Sequence, residues 1–304
     1  MRNRFAGHDA GQRTFPEEEV VGHCFRVGRD ETLSSRTPVI EAWKHGKAAP
    51  SRRTPSKGYE MKIAPVERRA LLFFIFAAVH YTIWTMNGQS ATNPDSLPTI
   101  RAHCLEHAVG AEGFPSTEDW RAAQPVQFDW DWRGENKDGQ RATEVRLLWT
   151  PETLFIRFEA RYRTITVYSD SRSDGWRYQL WEKDVAEAFL QPESGDPFEY
   201  QELEVAPNGM WIDLHILHGK NNELKSGLKR RASINAEKKV WTAELAVPIK
   251  GLTDKFDALH PWRVNFFRVE GEQEPRFYSA WSPTKTEKPN FHVPAAFGYL
   301  VFEQ

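Results

Sequence analysis

The side chains that could do chemistry in this chain are mostly carboxylates and indoles. Twelve tryptophans and 42 acidic residues stand in 304 positions. Two carboxylate pairs, Asp129/Asp131 and Glu202/Glu204, are spaced two apart, so on an extended chain each pair shares a face. Two carboxyls flanking a scissile bond are what a glycosidase needs. Acidic positions are plentiful here, however, and no G-x-S-x-G elbow or H-E-x-x-H motif accompanies them. Binding without catalysis is the expectation. The segment 129–139 gathers Asp129, Asp131, Glu135, Asn136 and Asp138, hard oxygen donors of the kind calcium takes, without the full spacing of an EF-hand loop. His215 and His218 follow a strand-like run, where a separation of three puts them on different faces, and they read as surface histidines.

Glu187 alternates with Val185 and Phe189, which places all three on one face of a strand. A carboxylate among apolar neighbours costs free energy unless something bonds it; a buried arginine and a ligand both remain open as its partner. Arg268, inside the run Trp262–Glu270, raises the same question, and Asn265, three residues earlier, points the other way. Asp184 reads as a cap or turn residue ahead of a strand. Trp176 and Trp181 lie in 170–183, a stretch rich in Asp, Arg, Ser and Gly and a loop-like place for exposed indoles. Trp149, Trp211, Trp241 and Trp262 fall within or at the ends of strand-like runs and are expected to pack.

The elements that must carry these groups are short strands. Runs at 145–149 and 154–160 flank Thr150-Pro151-Glu152-Thr153 and predict a hairpin. Further runs follow at 185–191, 200–205, 211–216, 240–247, 263–270, 276–281 and 299–303, separated by Pro-, Asn- and Gly-bearing turns. No segment beyond 125 keeps a helical period for long. The expected fold is all-β, an antiparallel β-sandwich of jelly-roll type forming a single domain over 91–304. Residues 92–125 read as a lead-in, with a short helix over 99–108.

Residues 1–60 are rich in charge and lack an apolar period, the composition of a disordered or spurious extension. From Met61 the order changes to a basic stretch ending Arg68-Arg69, an uncharged apolar stretch over 70–87, and Gly88-Gln89-Ser90. That is the layout of a signal peptide over 61–90, cut after Ser90, and predicts a periplasmic, cell-surface or secreted protein with no membrane contact beyond export. Cys24 and Cys104 are too few and too far apart for a disulfide framework. A net charge of −2 supplies no basic field for nucleic acid, and no Walker loop or GxGxxG motif points to a nucleotide.

Four local patterns, in order over about 110–304, resemble the family 9 carbohydrate-binding modules and their free-standing relatives. They are the hairpin 143–162, the segment Trp181-Glu182-Lys183-Asp184-Val185-Ala186-Glu187-Ala188-Phe189, the run Trp262–Glu270, and the closing Ala280-Trp281-Ser282-Pro283 with Asn290-Phe291-His292-Val293-Pro294-Ala295-Ala296-Phe297-Gly298-Tyr299-Leu300. The resemblance implies an antiparallel β-sandwich that holds an oligo- or polysaccharide without cleaving it. Two tryptophans would clamp a sugar's C–H faces, and a glutamate would bond its hydroxyls. On this sequence it implies Trp181 and Glu187, six apart, as one wall and the polar partner, and Trp281 as the second wall. Arg268 and Trp176 complete the expected site. Structural calcium at Asp129, Asp131 and Asp138 accords with the resemblance, and no other cofactor is expected. A haem-binding relative of the same fold, with Met210 as axial ligand, and a sandwich that presents to a protein partner are the competing readings.

Overall fold

In a computed structural model the described residues are 96–192 and 195–304. The signal-peptide and extension readings over 1–90 lie outside them. Among the described residues, no helix is long and apolar enough to cross a membrane.

Among the described residues, thirteen strands account for nearly all regular structure. β1 is Thr99–Cys104, β2 Val126–Phe128, β3 Thr143–Trp149, β4 Thr153–Arg161, β5 Val185–Gln191, β6 Glu199–Val205 and β7 Trp211–Leu217. β8 is Lys220–Glu223, β9 Lys229–Asn235, β10 Val240–Pro248, β11 Trp262–Glu270, β12 Phe277–Ala280 and β13 Gly298–Glu303. They form one hydrogen-bonded ladder in the order β8-β7-β6-β5-β11-β13-β1-β3-β4-β10-β9, with β12 on β11 and β2 on β3. The ladder curls over on itself. Phe158 of β4 and Phe266 of β11 are four ladder steps apart, yet their rings lie 6.1 Å from each other. Between the two halves sits the main core, which includes Ile156, Leu203, Trp241, Leu245 and Trp262. This is the expected β-sandwich.

The strand runs read from sequence correspond to nine of these elements, with shifts of one or two residues at most ends. Two departures have physical causes. Residues 99–104, expected to begin a helix, are β1: Ile100 and Ala102 are buried while Thr99 and Arg101 are exposed. β1 pairs in parallel with β13 and with β3, so the sandwich is not wholly antiparallel. A pairing partner some 200 residues away leaves no local trace in so short a segment. The helix of this region is instead α1, Thr117–Ala122, capped by Ser116 and Asp119 in a reciprocal capping box. β8 and β9 have no apolar alternation because they are the ladder's two edges. β8 is exposed at every position and β9 carries Lys229, Arg230 and Arg231, the charged finish that discourages further strand pairing.

Candidate functional site

Alternation along β5 and β11 creates two chemically different faces. Ala186, Ala188, Leu190, Val264 and Phe266 enter the core between the two halves. Val185, Phe189, Phe267 and Val269 point outward into a second apolar cluster. The segments 165–183 and 289–297 cover that outer face, packing Tyr168, Trp176, Trp181 and Phe291 against it. Where the cover is incomplete, a cleft of about 270 Å³ opens.

The cleft is walled by aromatic rings and floored by carboxylates. Trp181, Tyr278, Phe291 and His292 line it, Phe189 and Val269 form apolar ground, and Glu187, Glu202, Arg276, Asn221 and Asn290 supply polar groups. Trp181 sits on a short 3-10 turn, Leu180–Glu182, entered through Gln179 at φ 59°. That left-handed conformation is uncommon for a residue with a Cβ and turns the chain so that Leu180 is buried while the indole is left at the rim. Arg276 fastens the wall from behind, donating from Nη2 to the carbonyls of Trp181 (2.7 Å) and Lys183 (3.1 Å). Phe291 stacks on Phe267 at 4.2 Å and 14°. His292 shares a 2.8 Å hydrogen bond with the Tyr200 hydroxyl.

The carboxylates are the electrostatic feature of the site. Glu187 of β5 faces Glu204 of β6 directly across the ladder, and Glu202 faces Phe189. All three are buried, at 2%, 3% and 0% exposure for Glu187, Glu202 and Glu204. Burial, reinforced by the Glu202 charge, pushes the Glu187 carboxyl well above the ordinary carboxylate range. Burial together with Glu187 and Glu202 does the same to Glu204. Burial raises Glu202 as well, against the opposing pull of a hydrogen bond with Glu204 and of nearby His292. The phenol of Tyr200 is pushed up by burial and by Glu202.

Of the residues expected from sequence, Trp181 and Glu187 meet in this cleft. Trp176 stands beside it in a shallower depression with Asp170, Arg172 and Tyr178. It stacks on Tyr178 at 6.4 Å and 17°, and Tyr178 meets Trp181 edge-on at 5.3 Å. The three rings run from the cleft out over the surface, with Tyr178 47% exposed.

Three expectations require correction. Trp281 is not a wall of the cleft: it is 6% exposed in the main core, 5.6 Å from the Phe266 ring. Arg268 is not at the cleft either. It is fully buried and lies over the Trp241 ring at 5.2 Å, with Glu270 3.4 Å and Asp184 3.9 Å from its guanidinium. Its partner is a pair of carboxylates. Asp184 is structural, but not as a local cap: it is buried and accepts from the backbone N–H groups of Gly271 and Thr166, 87 and 18 residues away.

The calcium donors of 129–139 do not converge. Asp131 accepts from Arg133, Asn136 and two backbone amides, and Asp138 is held by Arg141 and Arg163. Asp129 contributes a backbone carbonyl to the same turn. Guanidinium groups occupy the negative charge that a cation would need. His215 and His218 pair separately with Glu199 and Asp196.

Sequence reasoning did not pick out Glu202, Arg276, Tyr278, Phe291 or His292 as site residues. Phe291 and His292 lie in the closing motif, and Glu202 in an acidic pair read only for catalysis. The outward alternation of Glu202 with Glu204 beside Glu187 was the available signal.

No protein-family model matches the chain. A curated relative from Arthroderma benhamiae, named an extracellular protein, is 26% identical over 180 residues, spanning 53% of this chain and 78% of the relative. Among solved structures, a Bacteroides uniformis protein provisionally assigned to carbohydrate binding matches with a TM-score of 0.55 at 19% identity, covering 68% of this chain and all of its own. A family 9 carbohydrate-binding module from Caldicellulosiruptor kristjanssonii, solved with cellotriose, matches with a TM-score of 0.46 at 13% identity over 68% of this chain and 94% of the module. The chain therefore shares the overall fold of the Bacteroides protein.

Proposed function

We propose that the protein binds carbohydrate without cleaving it, through the cleft at Trp181. The observation that carries this reading is the composition of the cleft: aromatic walls at Trp181, Tyr278 and Phe291 over a floor bearing Glu187 and Glu202. A sugar ring has an apolar C–H face and a hydroxyl rim, so it needs flat apolar walls and a few fixed polar groups together. A carboxyl oxygen accepts from sugar hydroxyls, and the bond is charge-assisted and among the stronger ones when the group is ionised. The volume of about 270 Å³ suits a terminal mono- or disaccharide. The Bacteroides neighbour's assignment and the signal-peptide layout at 61–90 support an exported sugar-binding role, as does the name of the Arthroderma relative.

Ligand efficiency near −0.3 kcal/mol per heavy atom puts a disaccharide in roughly the micromolar range. The test is a glycan array followed by calorimetry on the best ligand, with Trp181→Ala in parallel and product analysis after prolonged incubation. Binding that disappears in Trp181→Ala, with the glycan recovered intact, is the expected result. Failure to bind any plant, bacterial or algal glycan would overturn the reading, and released sugar would replace it with a glycosidase.

A further inference from the structure

We propose that Glu187, Glu202 and Glu204 form a binding site for a hard divalent cation, calcium, beneath the cleft. One ligand oxygen from each of the three carboxylates can be chosen so that all lie within 4.8 Å of one another. Two oxygens coordinating one calcium ion at 2.3–2.6 Å can be at most about 5 Å apart, so the spacing matches a shared ion.

The unmet bonding capacity points the same way. Apart from the contact between Glu202 and Glu204 themselves, Glu187 Oε1, Glu202 Oε2 and both oxygens of Glu204 are buried without a hydrogen-bond partner. Buried carboxylates are normally paired or bonded to a metal, and like charges directly opposed on neighbouring strands, as Glu187 and Glu204 are, destabilise a sheet. The nearby cations do not meet the need. Arg276 spends its guanidinium on the carbonyls of Gly271, Trp181 and Lys183. Arg268 lies on the opposite face of the sheet against Asp184 and Glu270. The imidazole of His292 is hydrogen-bonded to Tyr200.

The donor set selects the metal. Three carboxylates and no thiolate or imidazole favour a hard ion over zinc or copper. Calcium accepts six to eight oxygens in flexible geometry, whereas magnesium demands a near-ideal octahedron and gives up water reluctantly. Glu187 and Glu202 open onto the cleft while Glu204 lies behind them. An ion can therefore enter from the cleft, and water there completes its shell. This site is distinct from the 129–139 segment, where arginines already hold Asp131 and Asp138.

The proposal does not depend on the sugar reading, because metal alone is the probe. The full chain, stripped with chelator, is titrated with calcium by calorimetry and with terbium by tryptophan-sensitised luminescence, and melted with and without calcium. Wild-type protein should show one saturable site and a higher melting temperature with calcium. Glu204→Gln, which keeps side-chain volume, should weaken binding at least tenfold and lose the calcium-dependent shift. Without metal it should melt no lower than wild type, since it removes one of two opposed charges. Glu202→Gln should weaken binding similarly and carries the comparison if Glu204→Gln does not fold. Absence of saturable binding by wild type overturns the proposal, because protons then neutralise the cluster. So does wild-type affinity in a folded Glu204→Gln or Glu202→Gln.

Discussion

Glu187 and Arg268 lie on neighbouring strands and on opposite faces of the same sheet: Glu187 is paired with Phe267, and Arg268 with Ala186. That single step in register separates the cleft from the core. The carboxylate projects outward beneath Trp181, and the guanidinium projects inward over Trp241. A shift of one residue would exchange them, because side chains alternate with period two.

Arg268 therefore belongs to stability. Replacing it with alanine leaves Asp184 and Glu270 buried without their cation, a change that costs about 3–5 kcal/mol in comparable pairs. Urea denaturation should show that loss, and calorimetry on the folded fraction should show sugar affinity within about twofold of wild type. A tenfold loss of affinity with unchanged stability would place Arg268 in the site after all.

Trp181 and Trp281 were both expected as walls, but only Trp181 lines the cleft, and their alanine variants should separate cleanly. Trp281→Ala empties a core position against Phe266 and should cost about 3–5 kcal/mol, as large-to-small aromatic changes do, with binding retained at low temperature. Trp181→Ala removes a partly buried wall; its melting temperature should move little while sugar affinity drops at least tenfold. Thermal melts paired with calorimetry read both quantities on the same samples.

Gly298 stands where the closing segment leaves no room for a side chain. A Cβ there would stand 2.8 Å from the Trp281 ring and 2.4 Å from the Pro98 carbonyl oxygen. The second contact is with backbone that β1 and β13 hold in register. Gly298→Ala should destabilise by about 1–3 kcal/mol, the usual range for overpacking, and a urea midpoint equal to wild type would show that β13 can shift.

The strands were legible because burial on one or both faces writes itself into local sequence: Val185–Gln191 and the hairpin around Thr150 needed no distant information. What was hidden depends on register and on contacts far along the chain. Trp181 and Glu187 could be found together because six residues of one segment hold them. Trp281 and Arg268 could not be assigned, since an indole or a guanidinium reads the same in sequence whether its strand face is turned in or out. Glu202 joined Glu187 only through the β5–β6 pairing. The calcium expectation at 129–139 failed for a related reason: Asp138 is held partly by Arg163, a residue on the far side of the β3–β4 hairpin.

Asp138 supplies the pH dependence. Its partial burial works against the charged form, but the hydrogen bonds and charges of Arg141 and Arg163 outweigh it, and the carboxyl is held below its ordinary 3.8. A carboxyl whose folded pKa is depressed releases its proton more readily in the folded state. Its contribution to stability is therefore complete above the unfolded pKa and disappears as pH falls through the folded one. Arg163 is half exposed, so solvent screening keeps that contribution to about 1 kcal/mol. Asp138→Asn should lower the urea midpoint at pH 7, and the gap to wild type should shrink steadily as pH falls below about 4. A gap that stays constant down to pH 2 would show that the carboxyl's hydrogen-bonding shape, and not its charge, holds the 129–139 turn in place.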